Sequence, residues 1–89
     1  MQYECDENKR RRNITKHGID FVDISSFRWE TSLETIDNRL DYGEERINAI
    51  GFPGIRLVVV TYTKRRDTIR LISLRKTSKK EERFYNDYC

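Results

Sequence analysis

The sequence predicts a single α+β domain, and three stretches carry that expectation. Leu57 to Thr61 is a continuous apolar, β-branched run, the pattern of a central strand buried on both faces. Thr68 to Arg75 follows as a second strand after a short charged loop at Lys64 to Asp67. Helix boundary signals flank this β region: Asp6 and Gly18 near the N-terminus, and the capping box Ser78-Lys79-Lys80-Glu81 near the C-terminus. The expected order is a short N-terminal strand and two helices, an antiparallel β-meander of about four strands, and a C-terminal helix. No linker or repeat divides residues 1–89, which read as one domain.

Gln2 to Cys5 suits the first strand. Asp6 is placed to cap a helix from Glu7 to about His17, with Gly18 supplying the left-handed residue that ends it. That helix has almost no apolar stripe, since Ile14 stands nearly alone among charged residues. A second helix is expected at once, with Asp20 as N-cap, Asp23 as its capping-box partner, and Ile19 and Ile24 as a hydrophobic staple. Phe21, Ile24 and Phe27 recur at three-residue spacing as its buried face. Ser32 to Ile36 is the next strand, residues 38–45 a turn, and Arg46 to Phe52 another strand. Phe52-Pro53-Gly54-Ile55 has Pro and Gly where a type II turn requires them. Strict alternation along Thr68 to Arg75 would put Leu71, Ser73 and Arg75 on one face and Arg70, Ile72 and Leu74 on the other. In the last helix Glu81, Tyr85 and Tyr88 line one side, with Phe84 near it.

Composition narrows the function classes only partly. The chain of 89 residues is 36% hydrophobic and 37% charged, which leaves a small core. Eighteen Lys and Arg against fifteen Asp and Glu give a net charge of +3, too mild to announce nucleic-acid binding by itself. No apolar stretch suits a signal peptide or a membrane span, so a cytoplasmic protein is expected. Cys5 and Cys89 then read as free thiols. One histidine and two distant cysteines make no metal site, and no cofactor motif is present.

The chemistry-bearing residues cluster by distribution. Lys9, Arg10, Arg11, Arg12 and Lys16 put five cations on one helix, with Lys9, Arg12 and Lys16 on a common face. They suit phosphate contact, although such a run also serves as a solvated helix face. His17 is the only histidine. It can titrate near neutral pH, or simply cap the last helical turn. Ser73 and Arg75 project together from the end of a largely apolar strand, and a hydroxyl beside a guanidinium makes a phosphate clamp. No G-x-S-x-G elbow surrounds Ser73, so it is not read as an acyl nucleophile.

Three segments together resemble one known family. YECDENKRRRNITKHGIDF is similar to the opening of BrnT toxins: an aromatic residue, Asp, a lysine, then Asn, Lys-His-Gly and Phe. YGEERINAIG is similar to their Glu-x-Arg…Ile-Gly stretch, and LISLRKTSKKEERFY to their Ile-Ser-x-Arg…Glu-Arg…Tyr ending. The segments occur in the family's order and cover nearly the whole chain. Thr77 stands where the family commonly has Ala, a packing position near the helix cap.

The resemblance implies a RelE-like fold and a toxin of a type II toxin–antitoxin pair. Such a toxin is a metal-independent endoribonuclease that inhibits translation and growth. It is neutralised by a BrnA-like ribbon-helix-helix antitoxin and meets operator DNA only through the antitoxin complex. Metal-free RNA cleavage needs a base for the 2′-hydroxyl, cations for the charge on phosphorus and an acid for the leaving oxygen. The candidate catalytic residues are His17, Arg46, Ser73 and Arg75, with Lys9, Arg12 and Lys16 as RNA contacts. His17 suits either proton-transfer role, Arg46 and Arg75 would hold the phosphate, and Ser73 would hydrogen-bond one of its oxygens. The alternative is a non-enzymatic module that binds nucleic acid or an antitoxin, an inactive toxin homologue acting as a co-repressor, with His17 as a helix cap.

Overall fold

The computed structural model describes residues 2–37 and 44–88. Strands β1 (Gln2–Glu4), β2 (Leu33–Asp37), β3 (Arg46–Gly51), β4 (Val58–Arg65) and β5 (Thr68–Lys76) form one sheet in the order β1-β5-β4-β3-β2. Helices α1 (Glu7–His17) and α2 (Lys79–Tyr88) complete the α+β architecture. The β2-to-β5 meander is antiparallel, and β1 adds a parallel edge beside β5, pairing Gln2 with Thr68. The turn expected over 38–45 falls mostly outside the described residues.

The caps of α1 are as expected. Asp6 accepts a hydrogen bond from the Asn8 N–H at 2.7 Å, and Gly18 ends the helix at φ 71° with its N–H on the Ile14 carbonyl. The expected second helix is instead two 3₁₀ segments, Phe21–Ser26 and Trp29–Thr31. The three-residue spacing of Phe21, Ile24 and Phe27 is the 3₁₀ period, which stacks i and i+3 on one face. All three are buried, together with the staple residue Ile19. Asp20 caps the first segment through the Val22 N–H, and Asp23 gives its backbone N–H to the Asp20 carbonyl.

Two cores lie on opposite faces of the sheet. Ile19, Phe21, Ile24, Phe27, Val58, Val60, Tyr62, Ile69, Leu71 and Leu74 form the larger one, and Ile50, Val59 and Tyr85 the smaller one under α2. Val58, Val59 and Val60 are buried on alternate faces, as a central strand requires. On α2 only Tyr85 is buried, while Tyr88 is exposed, its ring tilted against that of Phe84 at 4.9 Å between centroids. The segment after Phe52 is no type II turn, since Gly54 lacks the positive φ that turn needs. Arg28 holds it instead, through its backbone N–H to the Phe52 carbonyl and its guanidinium to the Gly54 carbonyl at 2.7 Å.

At Gly51 the close approach is of another kind. A Cβ there would lie 2.6 Å from Cζ of Phe27, a buried ring edge-on to Trp29. Gly51→Ala is expected to cost about 1–3 kcal/mol through this overpacking. A thermal melt should show a fall of roughly 5–15 °C.

Alternation along β5 breaks at a β-bulge. Tyr62 pairs with Leu71 and Thr61 with Ser73, so Ile72 is an extra residue. The expected faces are therefore corrected. Leu71 and Leu74 share the larger core, and Ser73 and Arg75 turn to the opposite face, where Arg75 stands beside Val59 and α2.

Candidate active site

The bulge, the end of α1 and the start of α2 bring the chemical groups together. The decisive side chain is Asn13, the one buried residue of α1. Its Nδ2 donates to the Ile19 carbonyl at 2.9 Å and to the Leu74 carbonyl at 2.7 Å, and its Oδ1 accepts from the Leu74 N–H at 3.0 Å. β1 pairs with β5 only over Thr68 to Arg70. Beyond that point the Asn13 amide takes the place of a strand partner. It ties α1 to β5 and to the corner after Gly18 at once. Ile14, which stands nearly alone as an apolar residue on this helix, is exposed.

A second tie is ionic. The Arg10 guanidinium donates to both carboxylate oxygens of Asp20, at 2.7 and 2.8 Å, and also reaches Glu7 at 2.9 Å. So Arg10 braces the corner between α1 and the first 3₁₀ segment. Arg11 lies outward, 3.5 Å from Glu7.

One open cavity of about 280 Å³ is lined by Lys9, Arg12, Asn13, Lys16, His17, Ile72 and Ser73. It gathers the three expected RNA contacts with His17 and Ser73. Burial pushes the His17 pKa below its ordinary 6.5, and the charges of Lys16 and Arg75 push it the same way. The imidazole is therefore neutral at pH 7 and suited to accept a proton.

Ser73 also borders a neighbouring polar cavity of about 330 Å³, lined by Ile36, Asp37, Asn48, Thr61, Ser73, Arg75 and Glu81. Here Arg75 is clamped by Glu81, Nη1 to Oε1 and Nη2 to Oε2, both at 2.9 Å. Glu81 also closes the capping box: its Oε1 accepts from the Ser78 N–H at 2.8 Å, and its own N–H donates to Ser78 Oγ at 3.2 Å. One carboxylate thus starts α2 and fixes Arg75. Arg46 lines neither cavity. It stands on β3 opposite Asp37, two strands from β5.

The Arg75 hydrogen bonds hold the Glu81 carboxyl down at about 2, and those of Arg10 hold Asp20 at about 2. The ordinary values are 4.5 and 3.8. The unfolded chain therefore takes up protons first as pH falls, and these two ties lose their stabilising effect between about pH 4.5 and 2. Melts recorded across that range should show Tm falling with pH. Glu81→Gln and Asp20→Asn should each flatten the slope, and an unchanged slope would refute the assignment.

Sequence reasoning missed Asn13, Asn48, Thr61 and Glu81 as site-forming residues. Asn13 did carry a signal, a poor helix former in mid-helix, where such a residue often spends its side chain on backbone groups. Among the described residues no three His, Cys, Asp or Glu gather as metal ligands. Nor does any described helix have the length and apolarity to cross a membrane. Cys5 is a free, exposed thiol, and Cys89 lies outside the described residues.

Residues 5–81 match a family model described as "Ribonuclease toxin, BrnT, of type II toxin-antitoxin system". A comparison with curated proteins finds no match.

Proposed function

The chain belongs to the BrnT family of ribonuclease toxins from type II toxin–antitoxin systems, and from that premise we propose that it cleaves RNA without a metal ion at the cavity between α1 and β5. The observation that carries this reading is the meeting of His17 and Ser73 with Lys9, Arg12 and Lys16 in one cavity. A neutral imidazole, a hydroxyl and three cations match the needs of phosphoryl transfer from a ribose hydroxyl.

In the proposed step His17 removes the proton of the 2′-hydroxyl, and that oxygen attacks the adjacent phosphorus. Lys9, Arg12 and Lys16 stabilise the charge that builds on the non-bridging oxygens, and Ser73 donates a hydrogen bond to one of them. The bond from phosphorus to the 5′-oxygen breaks, and the departing oxygen takes a proton from water in the open cavity. The products are a 2′,3′-cyclic phosphate and a 5′-hydroxyl. Arg75, held by Glu81, adds positive potential from the adjacent cavity. Arg46, two strands away, is assigned no contact with the phosphate.

A type II system supplies an antitoxin partner. We assign to it a BrnA-like ribbon-helix-helix protein that covers the basic cavity, acts in the cytoplasm and competes with RNA. Purified protein should cleave RNA in EDTA and stop when the antitoxin is added. Activity that vanishes in EDTA and returns only with a divalent ion would overturn the metal-free mechanism. Undiminished RNA binding at saturating antitoxin would overturn the shared surface.

A further inference from the structure

Apart from Ser73 and Arg75, the lining of the polar cavity beside the cationic one has no part in the cleavage step. Its floor is a straight row across three strands, because Ser73 pairs with Thr61 and Thr61 with Asn48. All three project to the face away from the larger core. Asn48 is oriented: Thr61 Oγ1 donates to Asn48 Oδ1 at 2.7 Å. That bond uses the amide oxygen, so Nδ2 is the group with which Asn48 can donate to an occupant of the cavity. The lining is polar yet contains two carboxylates, Asp37 and Glu81. With Arg75 bound to Glu81 the lining holds no surplus of positive charge for a second phosphate, and its hydrogen-bonding groups suit an uncharged partner instead. From Ser73 to Asn48 is two strand spacings, about 10 Å. That distance matches the reach of one nucleotide from its phosphate to the outer edge of its base.

We propose that this cavity is a base-recognition subsite in which Asn48 selects the nucleobase beside the cleaved phosphate. Because Nδ2 is a donor, it favours a base with a keto oxygen on that edge, guanine or uracil, and disfavours the amino group of adenine or cytosine. Thr61 is the positioning residue that holds the amide in this sense. The bulge at Ile72 makes the arrangement possible, since it turns Ser73 toward the row while its hydroxyl still borders the cationic cavity. The inference rests on the ribonuclease reading for its substrate, but not for its contacts.

The test uses the full chain and short oligonucleotides with one ribose, hence one cleavable bond, and each of the four bases in turn on either side of it. Wild type should cleave guanine or uracil substrates about tenfold faster, as kcat/KM, than adenine or cytosine ones. Asn48→Asp presents an acceptor and should invert that order. Thr61→Val frees the amide to rotate and should erase the order without inverting it. Melting curves of each variant confirm that it folds. A parallel arm measures binding of fully 2′-deoxy oligonucleotides of the same sequences by fluorescence anisotropy. Cleavage without base preference, or with the same preference in Asn48→Asp as in wild type, overturns the subsite and leaves the ribonuclease reading standing. Absent cleavage, combined with an Asn48-dependent binding preference for keto bases, sustains the subsite and overturns the ribonuclease reading. No cleavage and no binding preference overturns both.

Discussion

Asn13→Ala should destabilise the protein by roughly 3 kcal/mol, a large share of the stability of a small domain. The substitution removes three hydrogen bonds and leaves the Ile19 carbonyl and both backbone groups of Leu74 without their partner. Buried groups of this kind cost about 1–3 kcal/mol each, and partial entry of water lowers the sum. Asn13→Asp should do little better. It keeps an acceptor for the Leu74 N–H, but it can donate to neither carbonyl while ionised and it places a charge in a buried position. The measurement is chemical denaturation of both variants, and a loss below about 1 kcal/mol would show that the amide bridge is not structural. Cleavage should also fall at temperatures where the variant is still folded. The amide sets the separation of α1 from β5, and displacing a catalytic group by an ångström can lower a rate by on the order of a hundredfold.

His17→Ala should lower kcat by about 10²–10³ and leave the melting temperature close to that of wild type, because the side chain is half-buried in the lining of an open cavity and not part of either core. Expressed in cells, the variant should be far less toxic than wild type. The rate should also report the imidazole directly. His17 titrates below its ordinary 6.5, so kcat/KM for the wild type should hold near pH 7 and fall on the acid side through that lowered pKa. Arg11→Ala is the control, since Arg11 points to solvent and should leave the rate within a factor of about two. An equally active, folded His17→Ala protein would return the histidine to the role of a helix cap, and antitoxin binding would then be the function of the basic face.

Much of the framework was legible because it rests on local physics. Asp6, Gly18, Ser78 and Glu81 announce helix ends through groups only a few residues apart, and the valines of β4 announce a strand buried on both faces. What escaped depends on distant partners. Asn13 meets Leu74 across a separation of 61 residues, and no spacing rule joins them. The three-residue repeat of Phe21, Ile24 and Phe27 marked a buried face, but such a short stretch lacks the length to settle between an α-helix and a 3₁₀ turn. The bulge at Ile72 was invisible for a related reason. An inserted residue changes no residue type, so alternation assigned Ser73 and Arg75 to the wrong side. His17, Ser73 and the helix cations could be named as candidates from their chemistry. Only the fold could show that Arg46 stands on β3 opposite Asp37 and that Arg75 is held by a carboxylate.

The long bridge from Asn13 to Leu74 has a consequence for the order of events in biosynthesis. Segments emerge from the ribosome N-terminus first, so α1 and its histidine are in solution well before β5 exists. Until then Asn13 has no strand edge to grip and β1 has no neighbour. Contacts between residues so far apart are also the slow ones to form. The nascent chain therefore carries its imidazole and its cations as an unassembled set, and the proposed cleavage site closes only when the last strand docks. On the proposed mechanism, a chain still short of β5 has no assembled site with which to cleave RNA.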